Sequence, residues 1–365
     1  MNFGLSDEQQ MLREAAADAL SRVNYVEEAR TALDGEQLPD LWPVAVEAGW
    51  TGLLIGEDHG GAGLDAFDAM LVAEECGKRL TSAGLYGHLM ATLVLDGADA
   101  AGLEALAGGE RRAAFLAAAP PAGGGGWTEA LTLGADGTVC GEARFQLDVA
   151  GADLIVAVAT DAQGDPHGVL LDPAAVEVQR LIRYDGSRPL GHVRAEGAPC
   201  EVLTSDGGLL ARAWHLGQGL LAADALGVCQ AVLDLGVAYA KDRHTFGRPI
   251  GSYQAVKHQL VEILRHVDTI RNLTYYAGYA AQEAPQELAL AAASARFTGE
   301  HGADYATRTC IAVHGGIGAT WEHDAPFYWR RSHLSRLLLG GVTGAGDRVA
   351  GEIIASAQRQ VTANA

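Results

Sequence analysis

The feature that most limits the folds open to this chain is the order of its periodicities. Apolar residues recur at helical spacing through the first third, give way to short β-type runs, and return to helical spacing until the end. Ser6-Asp7-Glu8-Gln9 is a capping-box start, in which hydroxyl and carboxamide satisfy each other's backbone N–H groups, and it leads into Met11, Leu12, Ala15 and Ala16 on a helical period. Further helical segments are expected over 40–48 and 65–80. Between them, Gly52 to Gly63 is too rich in glycine to continue a helix and implies a tight loop between packed helices.

From about Pro120 the pattern changes. Pro120-Pro121 and the glycines from Gly123 to Gly126 read as a linker. Strands are expected over 138–140, 154–160, 168–171, 176–181 and 201–203, with turns at Gly134-Ala135-Asp136-Gly137 and from Asp161 to Pro166. After Asp206-Gly207-Gly208, Leu226, Cys229, Leu233, Val237 and Ala240 share one helical face, as do Leu260, Ile263, Val267 and Ile270; both stripes read as core. At 365 residues the chain exceeds the size at which a single core usually stops growing. The division expected is a helical domain over 1–116, a small β domain over 117–206 and a helical bundle over 207–365.

Composition excludes some functions. With 46 acidic against 26 basic residues the formal charge is −20, which opposes a broad electrostatic footprint on nucleic acid or an anionic membrane. A local pair such as Arg330-Arg331 stays available to phosphates. The five cysteines are isolated, with no CxxC pair and no cysteine–histidine cluster of zinc spacing, so they read as small buried hydrophobes in a reducing compartment. The first residues lack a basic segment followed by an apolar one, and no stretch approaches the roughly 18 unbroken apolar residues of a membrane span. A cytoplasmic protein without a membrane or nucleic-acid partner is expected.

Two C-terminal motifs carry chemistry. The first runs from Arg243-His244-Thr245-Phe246-Gly247-Arg248 to Gln254 between two helices. It offers a fixed cation, a hydroxyl, an aromatic face and an amide, a set that suits a nucleotide diphosphate: guanidinium binds phosphate strongly, and Phe246 can lie against an adenine. A charged interhelical loop is the plainer reading of the same residues. The second is Val313-His314-Gly315-Gly316-Ile317-Gly318, whose glycines let backbone amides approach a ligand closely, a weak signal by itself. His314 and His323 lack a third ligand and fit a turn better than a metal site.

In order and spacing these motifs closely resemble the acyl-CoA dehydrogenase family, and the resemblance runs the length of the chain. Leu41-Trp42 through Gly49-Trp50, Gly60-Gly61-Ala62-Gly63 and Glu74-Glu75-Cys76-Gly77 look like its N-terminal helical domain. The resemblance implies a mainly α fold with a central β domain and a C-terminal four-helix bundle, assembled as dimers or tetramers, with FAD as cofactor and an acyl-CoA as substrate. In that family one subunit's flavin has its diphosphate and adenine gripped by the neighbouring subunit. Arg243, Thr245, Phe246 and Gln254 match the first gripping motif, and Gly315 and Gly316 match the second.

The family reaction uses a glutamate to remove the α-proton of the thioester while the β-hydrogen leaves as hydride to the flavin, giving a 2-enoyl-CoA. A desolvated carboxylate suits this because burial raises its pKa toward the working pH. Counting from Gly315 to Arg330 without gaps puts Leu339 at that position and Leu338 at the tyrosine before it. The alternative position on an earlier helix falls near Gly217, between Leu216 and Gln218. Neither is a carboxylate, so no catalytic base is assigned; Asp224, Asp347 and Glu352 lie nearby and read as solvated or capping acids.

The flavin-ring segments depart as well. Residues 117–127 are dominated by proline and glycine where the family has Thr-Glu-Pro-x-x-Gly-Ser, and Phe145-Gln146-Leu147-Asp148 replaces Trp-Ile-Thr-Asn. The half that reaches into a neighbour is retained while the half that would hold a ring and a base is eroded. That resembles the non-catalytic subunit of the α2β2 acyl-CoA dehydrogenases of bacterial steroid and cholesterol side-chain degradation. The implied partner is a catalytic paralogue, with a self-sufficient homo-oligomer using a relocated base such as Asp224, or a non-redox member of the fold, as alternatives. The same likeness tilts the substrate toward a bulky polycyclic acyl-CoA.

Overall fold

The computed structural model of the chain describes residues 4–22, 24–35, 40–122, 126–181 and 185–363. The N-terminal helices are α1 (Asp7–Ser21), α2 (Tyr25–Gly35), α3 (Trp42–Glu47), α4 (Ala66–Lys78), α5 (Tyr86–Gly97) and α6 (Leu103–Ala107). The capping box forms as expected: Ser6 Oγ accepts from the Gln9 N–H at 3.1 Å and Gln9 Oε1 accepts from the Ser6 N–H at 3.0 Å. Asp65 caps α4 in the same way. The glycine-rich loop between α3 and α4 makes two short 3-10 turns, Trp50–Gly52 and Glu57–His59.

The β domain contains β1 (Ala113–Leu116), β2 (Leu131–Leu133), β3 (Thr138–Leu147), β4 (Leu154–Thr160), β5 (Pro166–Leu171), β6 (Glu177–Leu181) and β7 (Leu190–Thr204). Strands β4, β2, β3, β7 and β5 pair in that order and β5 returns to β4, closing a ring; β1 adds parallel to β4, and β6 pairs with the first part of β7. Strand β4 is buried on both faces. Ile155, Ala157 and Ala159 point into the ring while Val156 and Val158 join the helical core, which is why its sequence is an unbroken apolar run. Because β1 pairs with β4, the sheet begins before residue 117. Of the expected glycine linker, Gly123, Gly124 and Gly125 lie outside the described residues.

The C-terminal bundle consists of α7 (Gly207–Asp242), a hairpin of β8 (His244–Thr245) and β9 (Arg248–Pro249), then α8 (Gln254–Glu283), α9 (Leu288–His314), α10 (Ala325–Ser335) and α11 (Gly341–Ala363). Helix α7, about 54 Å long at 1.5 Å per residue, is the central post. It is long and apolar enough to cross a membrane, yet most of that stretch is buried against α4, α5, α8 and α9, as befits a core helix. Its crossing with α4 is set by glycine: a Cβ at Gly227 would lie 2.0 Å from the Glu74 carbonyl oxygen, and one at Gly77 would lie 2.1 Å from that of Asp224. Both apolar stripes expected in the bundle are buried, except that Val237 is only partly so. Cys76, Cys229 and Cys310 are buried, whereas Cys140 is exposed and Cys200 half-buried.

Candidate cofactor and active site

Both glycine-bearing motifs stand at one end of the bundle. Helix α7 ends where the Arg243 N–H donates to Tyr239 O at 2.8 Å, and the chain turns into the β8–β9 hairpin. Its two-residue turn, Phe246-Gly247, has φ +49° and +78°, the left-handed pair that matches strand twist in tight hairpins. Phe246 at the tip is 93 % exposed. The hairpin is braced from behind: Ile250 N–H donates to Arg243 O at 2.8 Å, Tyr253 Oη donates to Thr245 O at 3.2 Å, and the Arg248 guanidinium lies 4.1 Å above the Tyr253 ring. Arg243 and Thr245 are exposed, as is Gln254 at the start of α8.

The second motif follows α9. His314 Nδ1 donates to Cys310 O at 2.8 Å, which fixes the orientation of the ring. The imidazole stacks on Tyr239 with centroids 4.4 Å apart and packs against His323 at 4.3 Å. Gly315 takes φ +65°, ψ −140°, a region essentially closed to side chains. Gly315 and Gly316 are exposed and have open space where a Cβ would stand. The residues matched to the gripping motifs thus lie at two turns linked by the Tyr239–His314 stack, with Gln254 at the start of α8, and a cation, a hydroxyl, an aromatic face and two glycines are exposed there.

Leu339, where the ungapped count puts the family's base, lies elsewhere, beside a cleft of about 580 Å³ between the β domain and the bundle. Its walls are Arg144-Phe145-Gln146 on β3 and the turn from Arg336 to Thr343. Leu339 sits in that turn with φ +49°, followed by Gly340 at +77° and Gly341 at +69°. Gln218 Nε2 donates to the Leu339 carbonyl at 2.9 Å. The space behind Leu339 is packed with hydrocarbon: a Cβ at Gly217 would lie 2.7 Å from Met90 Cε and 2.9 Å from Leu339 Cδ1. Neither expected base position therefore has a carboxylate, and Gly217 has no room for a side chain.

The strand matched to the family's flavin-ring segment is occupied by bonds of its own. Gln146 Oε1 accepts from the Ala117 N–H at 2.9 Å and its Nε2 donates to Arg144 O at 2.9 Å, so both ends of the amide are used. Leu147 is buried and paired with Leu190. Arg348 fastens the proline loop to α11 through Pro120 O at 2.6 Å and Pro121 O at 3.4 Å. Gln146 and Leu147 are thus committed within the protein, while Arg144, exposed at the cleft and bonded to Glu142 through Nη2 at 2.8 Å, keeps further guanidinium donors. The outward-facing hairpin and glycine turn do fit the phosphates and adenine of a dinucleotide. Glu129, which lines the cleft, is exposed and has φ +65°.

Asp224 is placed for structure. It is buried on α7 against Arg331, whose Nε lies 3.2 Å from Oδ2 and whose Nη2 bonds Oδ1, and Tyr86 Oη donates to Oδ1 at 2.9 Å. Burial alone would raise the carboxyl, but the guanidiniums of Arg331 and Arg188 with these hydrogen bonds outweigh it and hold the pKa below the ordinary carboxylate range. A carboxylate so stabilised is a poor proton acceptor, which removes it as a relocated base. Arg331, expected as part of a local phosphate site, is instead fully buried; it also donates to Thr81 O at 2.8 Å and Ser187 Oγ at 2.9 Å, tying all three regions together. Nothing in the sequence pattern marked this pair as buried. Of the remaining acids, Asp347 is exposed and Glu352 half-buried on α11.

Family models described as "Acyl-CoA dehydrogenase, N-terminal domain" and "Acyl-CoA dehydrogenase, C-terminal domain" match residues 6–106 and 209–346. The chain is 32 % identical over 340 residues to the acyl-CoA dehydrogenase IpdE2 of Mycolicibacterium smegmatis, a match covering 92 % of this chain and 96 % of that protein. It is 36 % identical over 296 residues to the acyl-CoA dehydrogenase FadE34 of Mycobacterium tuberculosis, covering 80 % of this chain but 39 % of FadE34. Among solved structures, the ChsE4–ChsE5 complex of Mycobacterium tuberculosis contains a chain with the same fold: TM-score 0.86, 23 % identity, 97 % of this chain and 99 % of that one. The chain belongs to the acyl-CoA dehydrogenase family and has its fold, with N-terminal helical, central β and C-terminal helical regions.

Proposed function

We propose that this protein is the partner subunit of a mixed FAD-dependent acyl-CoA dehydrogenase, completing the FAD site of a catalytic paralogue in an α2β2 assembly without supplying the base. The observation that carries this reading is Leu339, which the ungapped count puts at the base position and whose Cδ1, with Met90 Cε, fills the space over Gly217. Arg243 and Thr245 would hold the diphosphate, Phe246 and Gln254 the adenine side, and the Gly315-Gly316 backbone would close over the phosphates. Bound flavin supplies the hydride acceptor for α,β-dehydrogenation of the acyl-CoA to the 2-enoyl-CoA. This chain's residues bind and orient, and the proton is taken by a carboxylate of the paralogue.

Two likenesses support a mixed assembly: the ChsE4–ChsE5 structure is a complex of two different chains, and the match to FadE34 leaves most of that protein's length for a further unit. The likeness in fold to a chain of the Tcur3481–Tcur3483 steroid acyl-CoA dehydrogenase (TM-score 0.86, 24 % identity, 96 % of this chain and 99 % of that one) favours a bulky polycyclic acyl group. The test is to purify the chain alone and with candidate paralogues, and to follow bleaching of the oxidised flavin on adding acyl-CoA. A second reading, a self-sufficient homo-oligomer, finds its one specific support in Glu129, the carboxylate lining the cleft. That reading requires turnover by the lone chain and its loss in Glu129→Gln.

A further inference from the structure

Two buried guanidiniums from different regions reach the same residue. Arg188, between β6 and β7, donates through Nη2 to Ser335 Oγ at 2.6 Å and to Arg331 O at 3.1 Å. Arg296, on α9, donates through Nη2 to the Ser335 carbonyl at 2.6 Å and to Leu338 O at 3.1 Å, and is ion-paired with Glu300. Both arginines are fully buried. Ser335 ends α10, and the turn that follows it forms the bundle wall of the cleft, with Arg336, Leu337 and Leu339 lining it.

The opposite wall shares a foundation with Arg188. Strands β3 and β7 pair Leu147 with Leu190 and Gln146 with Gly191, and Gln146 lines the cleft. Arg188 stands two residues before the Leu190 rung, so one side chain links the backing of the β wall to the root of the bundle wall. Arg188 itself does not line the cleft. Its Nε and Nη1 have no hydrogen-bond partner among the described residues, although Asp185 Oδ2 lies 3.6 Å from Nε. Unpaired buried donors lower stability, and a well-packed apolar side chain of the same volume would avoid that cost. An arginine retained here is therefore better explained by what it reaches than by the space it fills.

We infer that Arg188 is a strut that sets the width of this cleft, with Arg296 holding the Ser335–Gly341 turn in register, so that β domain and bundle move as one around it. Arg188 is a positioning residue in this scheme and acts through Ser335. The inference concerns the chain's own walls, goes beyond the partner-subunit reading, and stands whether or not flavin is gripped by the hairpin.

Hydrogen–deuterium exchange on the full-length protein tests it. In Ser335→Ala, which removes one hydroxyl, amides of both walls, residues 144–147 and 336–343, are expected to exchange at least about tenfold faster, because losing a buried charge-assisted bond of about 1.5 kcal/mol or more opens the contact by that factor. The β3 segment belongs to another region, so a merely local helix-capping role for Ser335 would leave it unchanged. Arg188→Lys, which keeps one donor, is expected to restore part of the protection lost in Arg188→Met. A core control of similar thermal cost, Val156→Ala, should not loosen the two walls selectively. Exchange in Ser335→Ala that is unchanged, or raised only in 336–343, or raised evenly across the protein, would overturn the strut; if Arg188→Met does not fold, Ser335→Ala decides alone.

Discussion

Tyr239 and His314 stack with ring centroids 4.4 Å apart, and each stands within one helical turn of a motif that faces outward from the bundle. Tyr239 O accepts from the Arg243 N–H, and His314 precedes Gly315. Two segments about 70 residues apart in sequence are thereby set side by side through one aromatic pair, an interaction of about 0.5–1.5 kcal/mol beyond its buried area.

Substitutions at this end should act on cofactor retention in the mixed complex. Losing a charge-assisted phosphate bond of about 1.5–3 kcal/mol predicts a 10- to 100-fold weaker flavin affinity in Arg243→Ala. Tyr239→Ala should weaken it less and loosen both turns. Equilibrium dialysis of flavin against the complex measures both effects, and unchanged affinity in Arg243→Ala would remove the hairpin from the cofactor site.

Asp224→Asn should behave as a stability mutant. Breaking a buried ion pair by neutralising one partner costs about 3–5 kcal/mol, since the Arg331 guanidinium is left buried without its counter-charge. Urea unfolding should show the unfolding free energy fall by that margin, with a lower midpoint. Intact stability combined with lost turnover would instead mark Asp224 as a proton acceptor.

Two glycines should respond in opposite ways. Gly227→Ala places a methyl group 2.0 Å from a backbone oxygen of α4, so the α7–α4 crossing must open, at a cost of about 1–3 kcal/mol or more, read as a lower thermal midpoint. Gly316→Ala meets open space and should leave the midpoint unchanged while reducing flavin retention.

Acid should destabilise the N-terminal region through His88. Its ring is buried, with Nε2 donating to Thr51 O at 2.9 Å and Nδ1 accepting from the Ala113 N–H at 3.1 Å, and burial pushes its pKa down to about 4. A histidine whose folded pKa lies below its unfolded value of about 6.5 leaves stability intact above that value. As pH falls from there to about 4, the unfolded chain binds the proton first and stability drops, by an amount of order 3 kcal/mol at full effect. Denaturation midpoints between pH 7 and pH 4 should therefore fall more steeply in the parent than in His88→Gln, and parallel curves would contradict this.

Local signals were read correctly where local physics decides the structure. The Ser6–Gln9 box, the Asp65 and Asp206 helix starts and the strand Leu154–Thr160 follow from capping and apolar patterning within a few residues. The hairpin carrying Arg243 and the turn at Gly315 were visible as motifs. Strand β1 was missed because Ala113–Leu116 is short and gains its place by pairing with β4, about forty residues on. Helix α5 was missed because its residues are buried almost all round, which erases the amphipathic stripe. Arg331 and Asp224 looked like surface charges for the same reason: only the fold brings them together, 107 residues apart, in a dry junction.

As the proposed partner subunit, this chain grips a cofactor whose chemistry belongs to a paralogue. The most direct measurement is flavin content and acyl-CoA-dependent flavin bleaching of the lone chain, of its complex with the catalytic paralogue, and of the complex carrying Arg243→Ala in this chain. The result expected is no bleaching in the lone chain, bleaching in the complex, and loss of flavin from the Arg243→Ala complex. A lone chain that retains flavin and bleaches with acyl-CoA would contradict it.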